Sequence, residues 1–335
     1  MSKPKALLVT GGAGFIGSHT VRHLSEAGES IAVLDNLSAG HRGAILSDAI
    51  ELYTADLDDG AALDTIFLKH DVEAVIHFAA HCYVGESVSE PVKYYRNNLA
   101  APLALLDAMR AAGCRQFIFS STCATYGDPV AMPMDESHPQ QPINPYGWSK
   151  LMLERVLADC GRAWGLRSVC LRYFNACGSA PDGAIGEDHD PETHLIPNAL
   201  RAALGTGPAL TVFGDDYPTP DGTCIRDYIH VADLATAHAK ALDYLRGGGA
   251  SDAFNLGTGE GVSVRQIIDL AEQVSGKPVP HAIGPRRPGD PPELICAPGK
   301  AKRVLGWEAQ YKDVRDSIQH TWDWMTGPHG GRYGE

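Results

Sequence analysis

Through its first half the chain alternates short, almost wholly apolar runs with longer stretches of helical periodicity. The runs at Ala6–Val9, Ile31–Leu34, Glu51–Tyr53, Ala74–Phe78, Phe117–Ser120 and Ser168–Tyr173 predict strands. Between them, helices are expected near Gly14–Ala27, Ala61–Lys69, Pro91–Ala112 and Pro145–Trp164. Alternating strands and helices imply an α/β fold, a Rossmann-type doubly wound parallel sheet. After Asn175 the texture shifts to Gly, Pro and Asp, as in Cys177-Gly178-Ser179-Ala180-Pro181-Asp182-Gly183. Helices are expected there near Leu195–Leu204, Val264–Val274 and Val314–Met325, with short strands at Leu210–Phe213 and Phe254–Leu256. The main boundary is placed near residue 175. Residues 1–175 form the dinucleotide-binding domain, and 176–335 a smaller, mixed α/β substrate-binding region, some of whose strands are free to return to the first sheet.

The first strand runs into Thr10-Gly11-Gly12-Ala13-Gly14-Phe15-Ile16-Gly17, within which a helix opens. Gly11 permits the sharp turn, Gly14 lets backbone approach a pyrophosphate, and Gly17 allows close helix–strand packing. The helix start, at Phe15 and Ile16, then faces the phosphates. Asp35 ends the second strand 18 residues after Gly17. A carboxylate there accepts both ribose hydroxyls and repels a 2′-phosphate, so NAD is expected rather than NADP. Asp56 follows the third strand, within reach of the adenine amino group; Asn36 and Leu57 adjoin these acids and complete that part of the set.

A second signal lies in Asn144-Pro145-Tyr146-Gly147-Trp148-Ser149-Lys150. A tyrosine four residues before a lysine shares its helix face. Proline suits the first helical turn, which sets Tyr146 near the positive helix end. That end, the Lys150 ammonium and a bound nicotinium ring all favour phenolate, the form that abstracts a proton. Phe119-Ser120-Ser121-Thr122 ends a strand at the carboxyl edge, where open α/β sheets hold ligands. Thr122 is the candidate to contact the sugar oxygen that Tyr146 deprotonates, with Ser120 nearer the cofactor. Strand-end hydroxyls otherwise cap the next turn, and Tyr-x-x-x-Lys is common by chance. It is the conjunction with the glycine loop that points to hydride chemistry on an alcohol.

Composition mainly excludes. The 335 residues include 28 basic and 41 acidic side chains, a net charge of −13, with no basic run. Non-specific binding to nucleic acid or an anionic membrane is disfavoured, and an anionic substrate needs local arginines. No apolar stretch reaches the ~20 residues of a membrane span, and no signal peptide precedes Ala6-Leu7-Leu8-Val9. Eight scattered cysteines without a Cys-x-x-Cys pair read as reduced thiols of a cytoplasmic enzyme. His189, His194 and His230 lack metal-ligand spacing, and no metal site is expected.

Further stretches carry a family resemblance: Asp35-Asn36-Leu37, His77-Phe78-Ala79-Ala80-His81-Cys82-Tyr83-Val84-Gly85-Glu86-Ser87, Tyr94–Asn98, Arg172–Asn175, Asp215–Gly222 and Arg226–Val231. With Thr10–Thr20 and Tyr146/Lys150 they resemble the extended short-chain dehydrogenase/reductases, within them the enzymes that epimerise UDP-sugars. The resemblance runs from Ala6 to about Trp324. It implies that Phe78, Ala79 and Ala80 line the adenosine and ribose side of NAD, that Asn97 and Ser120 approach the cofactor, and that Tyr173 packs near the nicotinamide. It also implies substrate contacts: Asn175 with the diphosphate, His194 and Leu195 through backbone, Thr211 and Phe213 beside uracil, and Arg226, Arg287 and Asp290 at diphosphate and ribose. Arginine forks suit phosphate oxygens, although a salt bridge from Arg226 to Asp227 is the plain alternative. Helices near Pro91–Ala112 and Pro145–Trp164 are expected to pair with their copies in a homodimer.

The implied reaction is inversion at sugar C4, between UDP-glucose and UDP-galactose, through a 4-keto intermediate. Two departures bear on it. Cys82 stands where the family often carries a lysine near the NAD phosphates, and Leu294 where some members carry a bulky tyrosine. The smaller wall suggests acceptance of UDP-GlcNAc and UDP-GalNAc; pentose substrates and a 6-decarboxylation remain alternatives. A dehydratase needs an acidic pair beside the strand-end hydroxyl, and Thr122-Cys123-Ala124 supplies none. A non-catalytic NAD sensor has no use for Tyr146, Lys150 and Thr122 together.

Overall fold

In a computed structural model, which describes residues 3–287 and 289–334, the early apolar runs become strands of one sheet. They are β1 (Lys5–Thr10), β2 (Ile31–Asp35), β3 (Glu51–Thr54), β4 (Asp71–His77), β5 (Gln116–Thr122) and β6 (Arg167–Tyr173). The intervening helices are α1 (Phe15–Glu26), α2 (Gly60–Lys69), α3 (Val84–Ser89), α4 (Pro91–Tyr95), α5 (Ala101–Ala112) and α6 (Pro145–Trp164). Beyond Tyr173 follow β7 (Asn175–Cys177), α7 (Leu195–Leu204), β8 (Leu210–Phe213), β9 (Ile225–Arg226), β10 (Tyr228–His230) and α8 (Val231–Arg246). The chain continues through β11 (Asp252–Leu256), β12 (Val262–Ser263), α9 (Val264–Ser275), β13 (His281–Gly284), β14 (Glu293–Leu294), α10 (Gly299–Leu305) and α11 (Val314–Thr326).

The main sheet has the order β3-β2-β1-β4-β5-β6-β11, and every pairing in it is parallel. Order reverses between β1 and β4, which opens a crevice at the carboxyl ends of the strands. Both faces are covered. Leu24 of α1, Leu234 and Leu242 of α8 and Leu305 of α10 pack one side, whereas Leu63 of α2, Leu105 of α5 and Leu153 of α6 pack the other. The later strand β11 and helix α8 thus rejoin the first sheet. A third core, around Ile196, Leu200, Val212, Ile267 and Ile318, joins α7, β8, α9 and α11.

The helix expected over Pro91–Ala112 is interrupted by a π-helical turn, Arg96–Ala100, between α4 and α5. Pro102 explains it. It has no N–H to give the Asn98 carbonyl, and its ring displaces that carbonyl from α-helical geometry.

Helix α6 begins and ends where its sequence says. The Asn144 side chain accepts from the Gly147 amide (2.8 Å), Pro145 starts the first turn, and Gly165 closes it at φ 77°. Its inner row is Tyr146, Lys150 and Glu154. The Glu154 carboxylate takes two hydrogen bonds from Arg172 of β6, at 2.9 and 2.5 Å, and one from Ser121 of β5 at 2.6 Å. Both ion-pair side chains are only 7% exposed. Removing one partner from such a pair strands a charge, at ~3–5 kcal/mol. Glu154→Ala should therefore lower unfolding stability in urea by about that amount, and the double variant with Arg172→Met should recover much of it. A single-variant loss under ~1 kcal/mol would contradict this.

Candidate active site

Parallel register brings the functional strand ends together. Thr10 of β1 is level with Leu34 of β2 and His77 of β4, His77 with Phe119 of β5, and Thr122 of β5 with Tyr173 of β6. The glycine loop leaves β1 at one side of the crevice, and the loop Phe78-Ala79-Ala80 leaves β4 at the other. Both the Phe78 and Ala79 amides donate to the Thr10 carbonyl, at 2.8 and 3.1 Å. Gly11 sits at φ +71°, and a Cβ there would meet the Ala79 nitrogen at 2.4 Å. A Cβ on Gly17 would meet the Gly11 carbonyl oxygen at 2.1 Å, so this helix–loop contact exists only without a side chain. Gly14 precedes α1 with no side-chain cap, leaving the amides of Phe15, Ile16 and Gly17 as the orphan donors that suit a pyrophosphate.

Asp35 is buried at the end of β2. Burial raises its carboxyl pKa, while hydrogen bonds from Leu37 and Ala13 amides oppose the shift. Those two amides anchor one bond on each oxygen and leave lone pairs for ribose hydroxyls. Asn36 donates to Asp56 at 2.7 Å, so these two expected contacts form one exposed polar pair; Leu57 packs half-buried against the sheet core. The cradle, the helix start and the acid fit an adenine dinucleotide.

Around Tyr146 the groups are tightly coupled. The Thr122 hydroxyl accepts from the Ala124 amide at 3.1 Å and lies close enough to the Tyr146 phenol to oppose the upward pull of burial on its pKa. It thus caps the turn that follows β5, the plainer of the two roles its position allowed. Lys150 is fully enclosed, donates to the Ser120 carbonyl at 2.9 Å, and lies 4.9 Å from the Phe119 ring centroid and 5.9 Å from that of Tyr146. The Ser120 hydroxyl is hydrogen-bonded to the Tyr173 hydroxyl. Burial pushes the Tyr146 phenol well above its ordinary value, although the residue keeps some exposure at the cleft floor. The same burial lowers Lys150 to about 8. The sequence led us to expect phenolate favoured from three sides; in the structure, desolvation of the cleft dominates.

The residues expected on the substrate side lie on or beside the shorter strands and at the start of α7. Asn175 starts β7, where its amide donates to the Asp227 carbonyl at 3.0 Å. Thr211 and Phe213 share a face of β8, the former exposed. Arg287 stacks on the Phe213 ring at 4.0 Å. Arg226 is not the neighbour of Asp227 that its sequence suggested. Its guanidinium pairs with Asp290 and donates to the Ile225, Pro291 and Pro292 carbonyls, so Asp290 and Arg226 form one clasp. Asp227 accepts instead from Thr258, Gly259 and Cys296. Arg286 is a surface partner of Asp216. Leu294, opposite Arg226 in β14, packs half-buried with Tyr126, Met134, Phe174 and Cys296. His194 caps α7 and Leu195 begins it; the His194 amide donates to Glu192 at 2.8 Å.

Three features escaped the sequence. Glu154 extends the Tyr146/Lys150 row by another four residues, and that spacing was the available signal. Asn98, beside the expected Asn97, is the buried member of the pair: it bonds the His81 amide and carbonyl at 2.9 Å and Ser149 at 3.2 Å, while Asn97 donates to it. Lastly, His189 and His194, set aside for their spacing, converge with Glu187 and Glu192, their ligand atoms all within 4.8 Å. His230 lies apart, 3.0 Å from His320, and burial holds its ring down to about 3.

The pattern of the NAD dependent epimerase/dehydratase family matches residues 7–257. A UDP-glucose 4-epimerase of Halalkalibacterium halodurans is 53% identical over 326 residues, 97% of each chain. Among solved structures, UDP-glucose 4-epimerase from Brucella ovis in complex with NAD superposes with a TM-score of 0.92 at 50% identity, over 95% of this chain and 97% of that one. The Bifidobacterium longum UDP-glucose 4-epimerase in complex with NAD+ and UDP gives 0.92 at 38% identity, over 98% and 100%. The crevice, its glycine cradle and the Tyr146–Lys150 row are thus those of a chain that belongs to the NAD-dependent epimerase/dehydratase family.

Proposed function

We propose that the protein is a UDP-glucose 4-epimerase, inverting the sugar C4 between UDP-glucose and UDP-galactose through a 4-keto intermediate. The observation that carries the reading is the placement of Tyr146, beside Thr122, on the α6 face that also holds Lys150 against β5. Bound NAD supplies reversible two-electron oxidation at C4. Tyr146 takes the 4-hydroxyl proton as that oxidation proceeds, and Thr122 holds the oxygen. After the ketone has turned its other face, the hydrogen and its electron pair return to C4 and Tyr146 gives the proton back to the oxygen, so no net redox change occurs. A rotating sugar cannot be clamped, and binding energy must reside in the UDP half. Phe213 with its stacked Arg287, Asn175, and the backbone around His194 and Leu195 are proposed to provide it, with Asp290 and Arg226 toward ribose and diphosphate.

The opposed shifts of Tyr146 and Lys150 suit such a base. Each ion is destabilised alone by burial, and each is relieved when the other is charged. Tyr146→Phe should reduce turnover of UDP-galactose by ~10²–10⁴-fold while the variant still binds the nucleotide. Unchanged turnover would remove the base. Lys150→Met deletes the cation that favours phenolate, so the rising limb of the pH–rate profile should move to higher pH; an unmoved limb would count against the pairing.

Leu294 is proposed as the sugar-pocket wall. Wild-type protein should then convert UDP-GalNAc as well as UDP-galactose, and Leu294→Tyr should lose the former while keeping the latter. No detectable wild-type turnover of UDP-GalNAc ends this part of the reading. We also propose a homodimer. Val92 and Leu103 of the α4–α5 arm and Trp148 and Met152 of α6 leave apolar side chains exposed on helices that a second copy would cover. Light scattering should give twice the chain mass; a monomer's mass would refute it.

A further inference from the structure

The segment entering α7 brings four ionisable side chains to one point. Nδ1 of His194 lies 2.6 Å from Oε1 of Glu187 and 3.1 Å from Oε1 of Glu192. Nδ1 of His189 lies 3.0 Å from the same Glu187 oxygen and 3.9 Å from Oε2 of Glu192. The two carboxylates are nearly sealed, at 2% and 1% side-chain exposure. Two buried anions side by side require positive charge between them. Hydrogen bonds from the rings answer part of that demand. They do not answer all of it: Glu192 Oε1 accepts the Thr193 and His194 amides at 2.8 Å, but buried Oε2 has no hydrogen-bond partner among the described residues. That bare oxygen points into the cluster, toward His189.

We infer that Glu187, His189, Glu192 and His194 form a binding site for one divalent transition-metal ion, zinc being the best match. Two imidazole nitrogens and two carboxylate oxygens make a closed tetrahedral set. Adjacent donors in such a set lie ~3.3–3.5 Å apart for metal–ligand bonds of ~2.0–2.1 Å, and the present separations straddle that value. The surroundings are preassembled. The Glu187 carbonyl accepts from the buried Trp324 indole at 3.2 Å, and the Glu192 carbonyl accepts from Asn198 at 3.2 Å. The fourth donor, His194, is 40% exposed, which leaves an entry path.

The place matters as much as the set. His189 packs edge-on against Phe15, the first residue of α1, at 6.1 Å between ring centroids, and against Tyr83 at 6.2 Å. A cation here would fasten the segment before α7 beside the glycine loop, and would add positive charge on the side of the crevice where Cys82 brings none.

The test uses the intact chain, treated with chelator, dialysed and titrated with Zn2+ by calorimetry. One zinc per chain is expected. Glu192→Gln, nearly isosteric, should weaken binding at least about a hundredfold with an unchanged circular-dichroism spectrum, and His189→Gln should do the same. Because eight cysteines are the rival ligands, Co2+ loaded in place of zinc should show visible bands without thiolate charge transfer. Failure to bind zinc, binding unaffected by both substitutions, or a thiolate band would each overturn the site. Should Glu192→Gln not fold, His189→Gln with the cobalt spectrum decides alone.

Discussion

The buried pair between Arg172 and Glu154 is the interaction on which the rest depends. It joins β6 to α6, and Ser121 adds β5 to the same carboxylate. Arg172 also donates to Tyr126 at 3.0 Å, and Tyr126 donates to Asn255 of β11 at 2.6 Å. A pair this dry contributes little net stability, because desolvating two ions offsets their attraction. What it gives is register. Tyr146 and Lys150 lie on the same helix row as Glu154, so fixing Glu154 fixes the rotation and height of the residues that face the crevice.

Within that frame, the cleft's electrostatics oppose ionisation on both sides. Burial raises Tyr146 and lowers Lys150, and no water is needed to explain either direction. An enclosed phenol and an enclosed amine are poor ions singly and good ions as a pair. The Ser120 carbonyl, which receives the Lys150 ammonium, holds that pair at the carboxyl end of β5. The proposed chemistry therefore draws on a conflict built by packing rather than on a pre-formed phenolate.

Much of this was legible in the sequence where local rules agree. Helix α6 was placed correctly because Asn144, Pro145 and Gly165 give it unambiguous ends, and its four-residue spacing announced Tyr146 with Lys150. Strands β1 to β6 were legible because their middles, buried on both faces in all but the edge strand β3, are mainly apolar. Helix α8 was not predicted: it buries Asp233 and His238 among its apolar residues, so no clean apolar stripe survives. Asp233 is held by the Gln310 and Tyr311 amides, from a segment far along the chain. The same limit applies to Arg226, whose partner Asp290 is 64 residues away, and to the Glu187–His194 cluster, which a loop assembles without any period.

The central claim is that Tyr146 moves only a proton while the hydrogen on C4 leaves and comes back within one site. Incubating the purified protein with UDP-galactose deuterated at C4, in ordinary water and without added cofactor, tests it most directly. The account predicts UDP-glucose that keeps its deuterium at C4. Product in which that label has been exchanged for solvent hydrogen, or recovery of UDP-galactose alone, would contradict it.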